Sequence, residues 1–245
     1  MHSVVVGGTR GLGREVVRIF SDQGHTVSVL GRRPPSDADR GLSRTHYWTA
    51  DITDEGELLQ AIAELRDKNG TLDHLVLLQR FKADGDQWAG EIATSLTATK
   101  TIIERLAGEF TAGQDGSIVL VSSVIGRFVA DGQPVGYHVA KAALSQMARY
   151  YAVALGPLGI RVNCVTPSTL VKDENREYYS KNDGLQDVFR QTIPLGRMGT
   201  AVESANVVAF FCSAKASFVT GQEVIVDGGV SLLSQEALAR KLRGV

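Results

Sequence analysis

Short apolar runs alternate with helix-type patterns along most of this 245-residue chain, and this alternation constrains its fold more than any other feature. The apolar runs predict β-strands at residues 4–6, 26–30, 73–78, 117–121, 161–165 and 223–226, with a further short strand near 46–48. Apolar spacing between them predicts helices at 12–23, 54–68, 87–110, 135–155 and 201–213. Such alternation is typical of parallel βαβ units with both sheet faces covered. The sequence therefore predicts an α/β fold, a single doubly wound Rossmann-type domain with a central parallel sheet of about seven strands.

A glycine-rich turn follows the first predicted strand and opens the first predicted helix. Glycines let the backbone approach a pyrophosphate, and the helix N-terminus offers unpaired N–H groups and a partial positive charge. The pattern predicts a phosphate-binding turn made of Gly7, Thr9, Arg10, Gly11, Leu12 and Gly13. The glycine spacing is not the G-x-G-x-x-G of the general dinucleotide-binding fingerprint. The alternative is that these glycines only form a turn between strand and helix.

Tyr137 and Lys141 are four residues apart in the predicted helix 135–155, so their side chains share one face. An ammonium group near a phenol favours the phenolate, and such a phenol can pass a proton to or from an oxygen atom. Ser123, just after the apolar run that ends at residue 121, could add a hydroxyl to the same site. The alternative is an amphipathic helix with a half-buried tyrosine and a solvated lysine.

Several separated motifs occur in the order found in one known family. They are the glycine turn, Asp51, Ser123, Tyr137, Lys141, the run Arg161-Val162-Asn163-Cys164-Val165-Thr166-Pro167, and the ending from Val219-Thr220-Gly221-Gln222 to Asp227-Gly228-Gly229. On these motifs, residues 4–229 resemble the short-chain dehydrogenases/reductases. The resemblance implies hydride transfer between a nicotinamide cofactor and a ketone or secondary alcohol. It implies that Tyr137 exchanges the proton, that Ser123 hydrogen-bonds the substrate oxygen, and that Lys141 also holds the nicotinamide ribose.

The residues after the second predicted strand bear on the choice of cofactor. An acidic side chain there would bind the ribose hydroxyls of NAD and repel a 2′-phosphate. This chain has Gly31 followed by Arg32 and Arg33, two guanidiniums that suit a phosphate bidentately. Arg10 adds a positive charge where family members that prefer NADP often have a basic residue. We therefore expect NADP(H); the alternative is that these arginines are solvated loop charges.

The resemblance implies further cofactor contacts after later strands. Asp51 corresponds to the family's adenine-contacting acid, with Ile52 beside it, although a turn or a helix cap would also use an aspartate there. Pro167 and Thr169 correspond to positions beside the nicotinamide, where Thr169 is available to the carboxamide. Tyr137 and Lys141 complete the set of expected cofactor contacts.

The chain departs from the family pattern at two places that matter. Where the family's fourth strand ends in Asn-Asn-Ala-Gly, this chain reads Leu75-Val76-Leu77-Leu78-Gln79-Arg80, so bulk replaces glycine at Arg80. Gln79 and Arg80 either contact the nucleotide or lie on a repacked surface loop. Ser95 stands where the family's catalytic tetrad has asparagine, and it would keep the helix irregularity with less polar reach.

These departures leave open a second hypothesis, a nucleotide-binding regulatory or scaffold protein whose catalysis has weakened. The retention of Ser123, Tyr137 and Lys141 argues against it. Ser168, in place of a family glycine after Pro167, would narrow or polarise the nicotinamide pocket.

Composition excludes several kinds of partner. A net charge of −1 gives no electrostatic reason to expect nucleic acid or an anionic membrane. The first strand begins too early to leave room for a signal peptide and no apolar run reaches transmembrane length, so a cytoplasmic location is expected. Cys164 and Cys212 are expected to be buried structural thiols, and no metal site is predicted.

We expect residues 1–230 to form the NADP-binding catalytic domain, with a substrate lid at about 168–198 and a C-terminal extension at 231–245. The lid carries Tyr178 and Tyr179, which suggest a polar or aromatic substrate or simply pack against a helix. The extension has a helix-like leucine pattern and either reaches a neighbouring subunit or forms a frayed tail. Apolar residues on more than one side of helix 135–155 favour a homodimer or homotetramer over cover by the chain's own residues.

Overall fold

The computed structural model describes residues 1–111 and 116–244. Within these residues the strands are β1 (His2–Val6), β2 (Thr26–Gly31), β3 (Thr45–Thr49), β4 (His74–Leu77), β5 (Gly116–Val121), β6 (Ile160–Pro167), β7 (Leu170–Val171), β8 (Gly199–Thr200) and β9 (Glu223–Val226). Seven of them form one parallel sheet in the order β3-β2-β1-β4-β5-β6-β9, and β7 pairs with β8. The order reverses direction between β1 and β4, which is the point where doubly wound sheets open a ligand crevice. The predicted α/β, Rossmann-type fold is confirmed.

Helices connect these strands and cover both faces of the sheet. They are α1 (Gly11–Asp22), α2 (Glu55–Asn69), α3 (Gln87–Glu91), α4 (Ala98–Leu106), α5 (Val135–Leu155), α6 (Arg176–Ser180), α7 (Asp183–Thr192), α8 (Ala201–Phe211) and α9 (Gln235–Arg243). One core cluster packs α2, α4 and α5 on one face of the sheet, and a second packs α1 and α8 on the other. Large side chains such as Phe20 and Phe211 are almost fully buried there, and each contributes about 1.5–3 kcal/mol by leaving water.

The prediction of one regular helix over 87–110 is wrong. A π-helix, Ile92–Thr97, separates α3 from α4, and a short 3-10 turn follows at Ala107–Glu109. The Thr99 hydroxyl donates to the Ser95 carbonyl over 2.7 Å, so a side chain competes for a helical backbone acceptor in this region. Such wide turns are frequent at functional sites. This one places Ser95 and its neighbours beside α5.

The segment 168–198 contains secondary structure that the sequence pattern did not predict. It includes β7, α6 and α7. The Tyr179 ring packs edge-on against Phe189 of α7 with centroids 6.1 Å apart, whereas Tyr178 is exposed. The C-terminal residues form α9, which also contacts α7. Tyr179 therefore has a packing role.

Candidate functional site

The C-terminal ends of the parallel strands surround two adjoining cavities. The first, which we call the tyrosine cavity, has a volume of about 360 Å³ and is lined by Ser123, Tyr137 and Lys141 together with the glycine turn. The second, the arginine cavity, has a volume of about 190 Å³ and is lined by Arg32, Arg33 and Asp51 among others. The two cavities share walls made by Gly7, Arg10, Arg33, Leu78, Arg80 and Lys82. The two cavities therefore adjoin at the switch point of the sheet.

The glycine turn has a shape that side chains would prevent. Gly7 and Gly11 have φ angles of +84° and +50°, in the left-handed region that favours glycine. A Cβ atom on Gly13 would lie 2.2 Å from the Gly7 carbonyl oxygen, closer than any real contact. Arg10 caps α1 without a side-chain hydrogen bond, so its side chain satisfies none of the first N–H groups of the helix. This cradle fits a phosphate group.

An acidic residue from the segment 168–198 already contacts this turn. The backbone N–H of Gly11 donates to Oε1 of Glu174 over 3.2 Å, and the same oxygen lies 3.2 Å from the Arg14 guanidinium. Arg14 also pairs with Asp173 over 2.9 Å. A carboxylate therefore binds the N–H group that a phosphate would use.

Positive charge dominates the arginine cavity. Arg10, Arg32 and Arg33 all line it and are exposed at its rim. Asp51 lines it as well, and its carboxylate accepts from the Thr53 hydroxyl over 2.7 Å and from the Thr53 N–H over 2.9 Å. These hydrogen bonds hold the pKa of Asp51 below its ordinary value. Asp51 therefore stabilises a turn, which is the alternative role that the sequence left open, and it also lines the arginine cavity.

The side-chain amide of Gln79 has one hydrogen-bonded atom and one unsatisfied atom. Its side-chain amide donates from Nε2 to the Thr99 hydroxyl over 2.6 Å, which fixes its orientation. Its Oε1 atom is buried and accepts no hydrogen bond from the residues that the structure describes. A buried acceptor without a partner is costly. Gln79 also lines the arginine cavity, so part of its side chain belongs to the cavity wall.

Tyr137 and Lys141 lie on the first turns of α5 and face the tyrosine cavity. Lys141 is only 4% exposed, and its ammonium donates to the Val121 carbonyl over 3.0 Å and lies 5.7 Å from the centroid of the Tyr137 ring. Burial lowers the pKa of Lys141 to about 8, because removing a charged amine from water is unfavourable. The next largest influence is the charge of Glu91, which favours the protonated amine.

Two adjacent serines follow β5 and take different roles. The Ser122 hydroxyl is buried and donates to the Lys141 carbonyl over 2.6 Å, which fastens β5 to α5. Ser123 is half-buried, lines the tyrosine cavity, and caps a short turn by accepting from the Ile125 N–H over 3.3 Å. Ser123 therefore lies in the cavity wall, and its hydroxyl donates no hydrogen bond to the residues that the structure describes.

Ser95 lies in the π-helix but does not line either cavity wall. Its hydroxyl is completely buried and donates to the carboxylate of Glu91 over 2.7 Å. Glu91, itself only 2% exposed, had not been singled out in the sequence because it lies within an unremarkable helical pattern. The helix irregularity expected around Ser95 is present.

The structure brings most of the predicted site residues together and adds others. The two cavities are lined by the predicted residues Gly7, Thr9, Arg10, Gly11, Leu12, Gly13, Arg32, Arg33, Asp51, Ile52, Gln79, Ser123, Tyr137, Lys141 and Pro167. Thr169 is exposed and outside both walls. Residues without a predicted role also line the cleft, namely Lys82, Lys172 and Glu174. No sequence motif marks them, because they reach the cleft only through tertiary packing.

Two classes of feature are absent from the part of the chain that the structure describes. No group of three or more histidine, cysteine, aspartate or glutamate side chains is placed to hold a metal ion there. Within the same residues, no helix is both long enough and apolar enough to cross a bilayer.

Known proteins share both the sequence pattern and the fold. The family described as Enoyl-(Acyl carrier protein) reductase matches residues 6–231. A 3-oxoacyl-[acyl-carrier-protein] reductase of Staphylococcus aureus is 30% identical over 245 residues, covering 93% of this chain and 97% of its own. The corresponding enzyme of Chlamydia pneumoniae is 28% identical over 243 residues, covering 93% and 96%. An isoepoxydon dehydrogenase of Penicillium expansum is 28% identical over 248 residues, covering 96% of each chain.

Comparison with solved structures gives the same family. A short-chain type dehydrogenase/reductase from Mycobacterium ulcerans superposes with a TM-score of 0.82 at 26% identity, covering 100% of this chain and 98% of that one. A short-chain dehydrogenase/reductase from Burkholderia xenovorans superposes with a TM-score of 0.83 at 28% identity, covering 96% and 97%.

The doubly wound sheet and the cleft at its switch point place the chain among oxidoreductases with a Rossmann-type fold. The match over residues 6–231 and the relative at 30% identity narrow the class further. The chain belongs to the short-chain dehydrogenase/reductase family.

Proposed function

We propose that this protein is an NADP(H)-dependent oxidoreductase that transfers a hydride between the nicotinamide and a ketone or secondary alcohol. The observation that carries the proposal is that the two cavities adjoin. Tyr137, Lys141 and Ser123 line one end, the glycine turn lies in the middle, and Arg32 and Arg33 line the other end. A dinucleotide in an extended conformation needs this sequence of contacts, with phosphate groups at the glycine turn and at the arginines.

The chain's own residues would manage the proton and the substrate oxygen. When bound, the nicotinamide supplies or accepts a hydride at the substrate carbon. Tyr137 gives its phenolic proton to the carbonyl oxygen during reduction, or takes it back during oxidation. The Ser123 hydroxyl donates a hydrogen bond to the same oxygen and stabilises its developing negative charge. The Lys141 ammonium, held by the Val121 carbonyl at 3.0 Å, favours the phenolate left on Tyr137.

In this proposal Glu91 and Ser95 stabilise the ammonium form of Lys141. The carboxylate of Glu91 is buried and its charge favours the ammonium form of Lys141. Ser95 donates to that carboxylate and fixes it in place. A buried carboxylate thus compensates for part of the desolvation of the lysine.

Recognition of the 2′-phosphate rests on Arg32, Arg33 and Arg10. All three line the arginine cavity, where their positive charges suit a phosphate. We expect Arg32→Ala to weaken NADPH binding about tenfold or more, as for a lost charge-assisted contact, and to leave NADH binding within about twofold. The measurement is a fluorescence titration with each cofactor. Arg40→Ala, at an exposed arginine outside the cavity walls, is the matched control. Equal losses for both cofactors would contradict 2′-phosphate recognition.

The names of the relatives suggest the first substrates to test. The Staphylococcus and Chlamydia relatives are 3-oxoacyl-[acyl-carrier-protein] reductases, and the Penicillium relative is an isoepoxydon dehydrogenase. A panel of short 3-oxoacyl thioesters, cyclic ketones and aromatic ketones covers these chemistries and the polar or aromatic substrates that the exposed Tyr178 suggests. We propose that the segment 168–198 acts as the lid over them.

The test of the proposed function is NADPH oxidation with this panel, followed by the loss of absorbance of the reduced nicotinamide. Turnover that Tyr137→Phe reduces by at least about 10²-fold supports the proposal, since that substitution removes only the proton-donating hydroxyl. Tight NADPH binding without turnover on any carbonyl supports instead a nucleotide-binding regulatory protein.

We also propose a homodimer or homotetramer in which α5 forms part of the interface. Its outward face exposes Val135, Val139, Tyr150 and Val153, the last at 81%. Contiguous exposed apolar side chains are typical of protein–protein contacts. Sedimentation velocity on the wild type and on Val153→Glu measures the oligomeric state. A wild-type monomer at micromolar concentration would contradict the proposal.

A further inference from the structure

Arg80 lies in the cleft, just after β4. The sequence alone leaves two roles for it, a contact with the nucleotide or a place on a surface loop. Its guanidinium carbon is 4.5 Å from the centroid of the Tyr137 ring. The side chain lines both the tyrosine cavity and the arginine cavity. Arg80 is exposed and forms no ion pair with any residue in the described ranges, so its charge is not neutralised by a neighbour.

A guanidinium at this distance interacts with an aromatic ring in two ways. It is attracted to the π electrons of the ring face, which holds the ring in one orientation. Its positive charge also favours the negatively charged phenolate over the neutral phenol. The ammonium of Lys141 lies 5.7 Å from the same centroid. Tyr137 therefore has two cations against its ring, one from its own helix and one from the loop after β4.

The other charges around Tyr137 do not cancel this effect. The tyrosine cavity is also lined by the cations Arg10, Arg33, Lys82 and Lys172 and by the carboxylate Glu174. Glu174 is bound to Gly11 and Arg14, and Glu91 acts on Lys141 from the side of the π-helix. Burial lowers the pKa of Lys172, and the charge of Arg80 is the next cause. The field of Arg80 thus reaches the side chains across the cavity.

We propose that Arg80 is a positioning residue for Tyr137, holding its ring and supplying the second positive charge that stabilises the phenolate. The inference rests on the proposed function, in which the O–H bond of Tyr137 breaks and its proton moves to the substrate oxygen. Arg80 takes no proton and forms no covalent bond. It acts through Tyr137, whose ring has only one other cation against it in the described residues, the ammonium of Lys141.

The direct test is the ultraviolet titration of Tyr137 in the absence of substrate. The chain has six tyrosines, so the Tyr137 signal is taken as the difference between each protein and the same protein carrying Tyr137→Phe. We expect Arg80→Gln to move the midpoint of that signal upward by about half a pH unit, and Arg80→Lys to move it by less. Lys82→Gln removes a charge that lines the same cavities without contacting the ring, and it should leave the midpoint nearly in place. An unmoved midpoint in Arg80→Gln, or an equal movement in Lys82→Gln, overturns the proposal.

Kinetics give a second readout. Alcohol oxidation requires the phenolate of Tyr137. The kcat of Arg80→Gln in that direction should therefore fall about threefold at neutral pH and recover as the pH rises. A purely structural role would lower kcat equally at every pH, which contradicts the proposal. If the wild type turns over no substrate, the proposed function fails, while the phenol titration still decides the role of Arg80.

Discussion

The burial of Lys141 makes a quantitative prediction about stability. Its pKa is about 8 in the folded protein against an ordinary value of 10.5. The difference corresponds to about 3 kcal/mol by which folding disfavours the charged amine. Below pH 8 the amine is charged in both states and the folded protein bears this cost in full. Between about pH 8 and 10.5 the unfolded chain binds more protons, so stability rises with pH until the cost is gone.

Lys141→Met removes the charge and should abolish this pH dependence. At neutral pH the variant avoids about 3 kcal/mol of desolvation cost and loses the hydrogen bond to the Val121 carbonyl, worth about 1–3 kcal/mol. It should therefore be at least as stable as the wild type while losing activity. Between neutral pH and about pH 10, the wild type should gain about 3 kcal/mol relative to the variant.

Urea unfolding at a series of pH values measures this difference, since the other titrating groups are common to both proteins. Lys215→Met, at an exposed lysine away from the cleft, is the control and should leave the pH dependence of the wild type unchanged. If the wild type and Lys141→Met show parallel stability curves across this range, Lys141 does not carry the buried charge that the structure implies.

Three further predictions concern the cleft. Gly13→Ala should destabilise the protein by about 1–3 kcal/mol and prevent saturation with NADPH, because its Cβ would lie 2.2 Å from the Gly7 carbonyl oxygen. Thermal unfolding measures the stability, and a fluorescence titration measures the NADPH binding. The control Gly108→Ala has no atom within 4 Å of its added Cβ and should change neither quantity. Glu174→Gln should tighten NADPH binding about two- to fivefold, because it removes a negative charge 3.2 Å from the Gly11 N–H; weaker binding than in the control Glu177→Gln would show that the carboxylate does not compete with phosphate. NADPH affinity should fall as pH rises through about 8, where Lys141 loses its charge, and isothermal titration should find this fall missing in Lys141→Met.

The fold was predictable because its signals are local. Most main strands contain a short apolar run, as in 118–121, and the connecting helices have apolar residues at helical spacing. The π-helix was not predictable in the same way. The residues of 87–110 carry the spacing of an ordinary helix, and only the family resemblance at Ser95 indicated an irregularity there. The helices of the segment 168–198 were not predicted, because the segment is mostly polar and the apolar spacing that indicates a helix is weak there.

The candidate site shows the same division. The pair Tyr137 and Lys141 and the glycine turn are recognisable because their spacing in the sequence reflects local geometry. Ser123 was placed by the resemblance to the family. The contact between Gly11 and Glu174 joins residues 163 positions apart and has no sequence signature. The approach of Arg80 to the Tyr137 ring depends on the direction that the side chain takes after β4. The sequence showed only that a large side chain, Arg80, stands where the family has a glycine.

The central claim is that a hydride passes between a nicotinamide and a substrate carbon beside Tyr137. The most direct measurement uses NADPH deuterated at the transferring carbon, with mass spectrometry of the alcohol formed from an accepted ketone. The account predicts one deuterium at the carbinol carbon with the wild type and almost none with Tyr137→Phe. Product without the label, or labelled cofactor recovered unchanged after prolonged incubation with the whole panel, would contradict it.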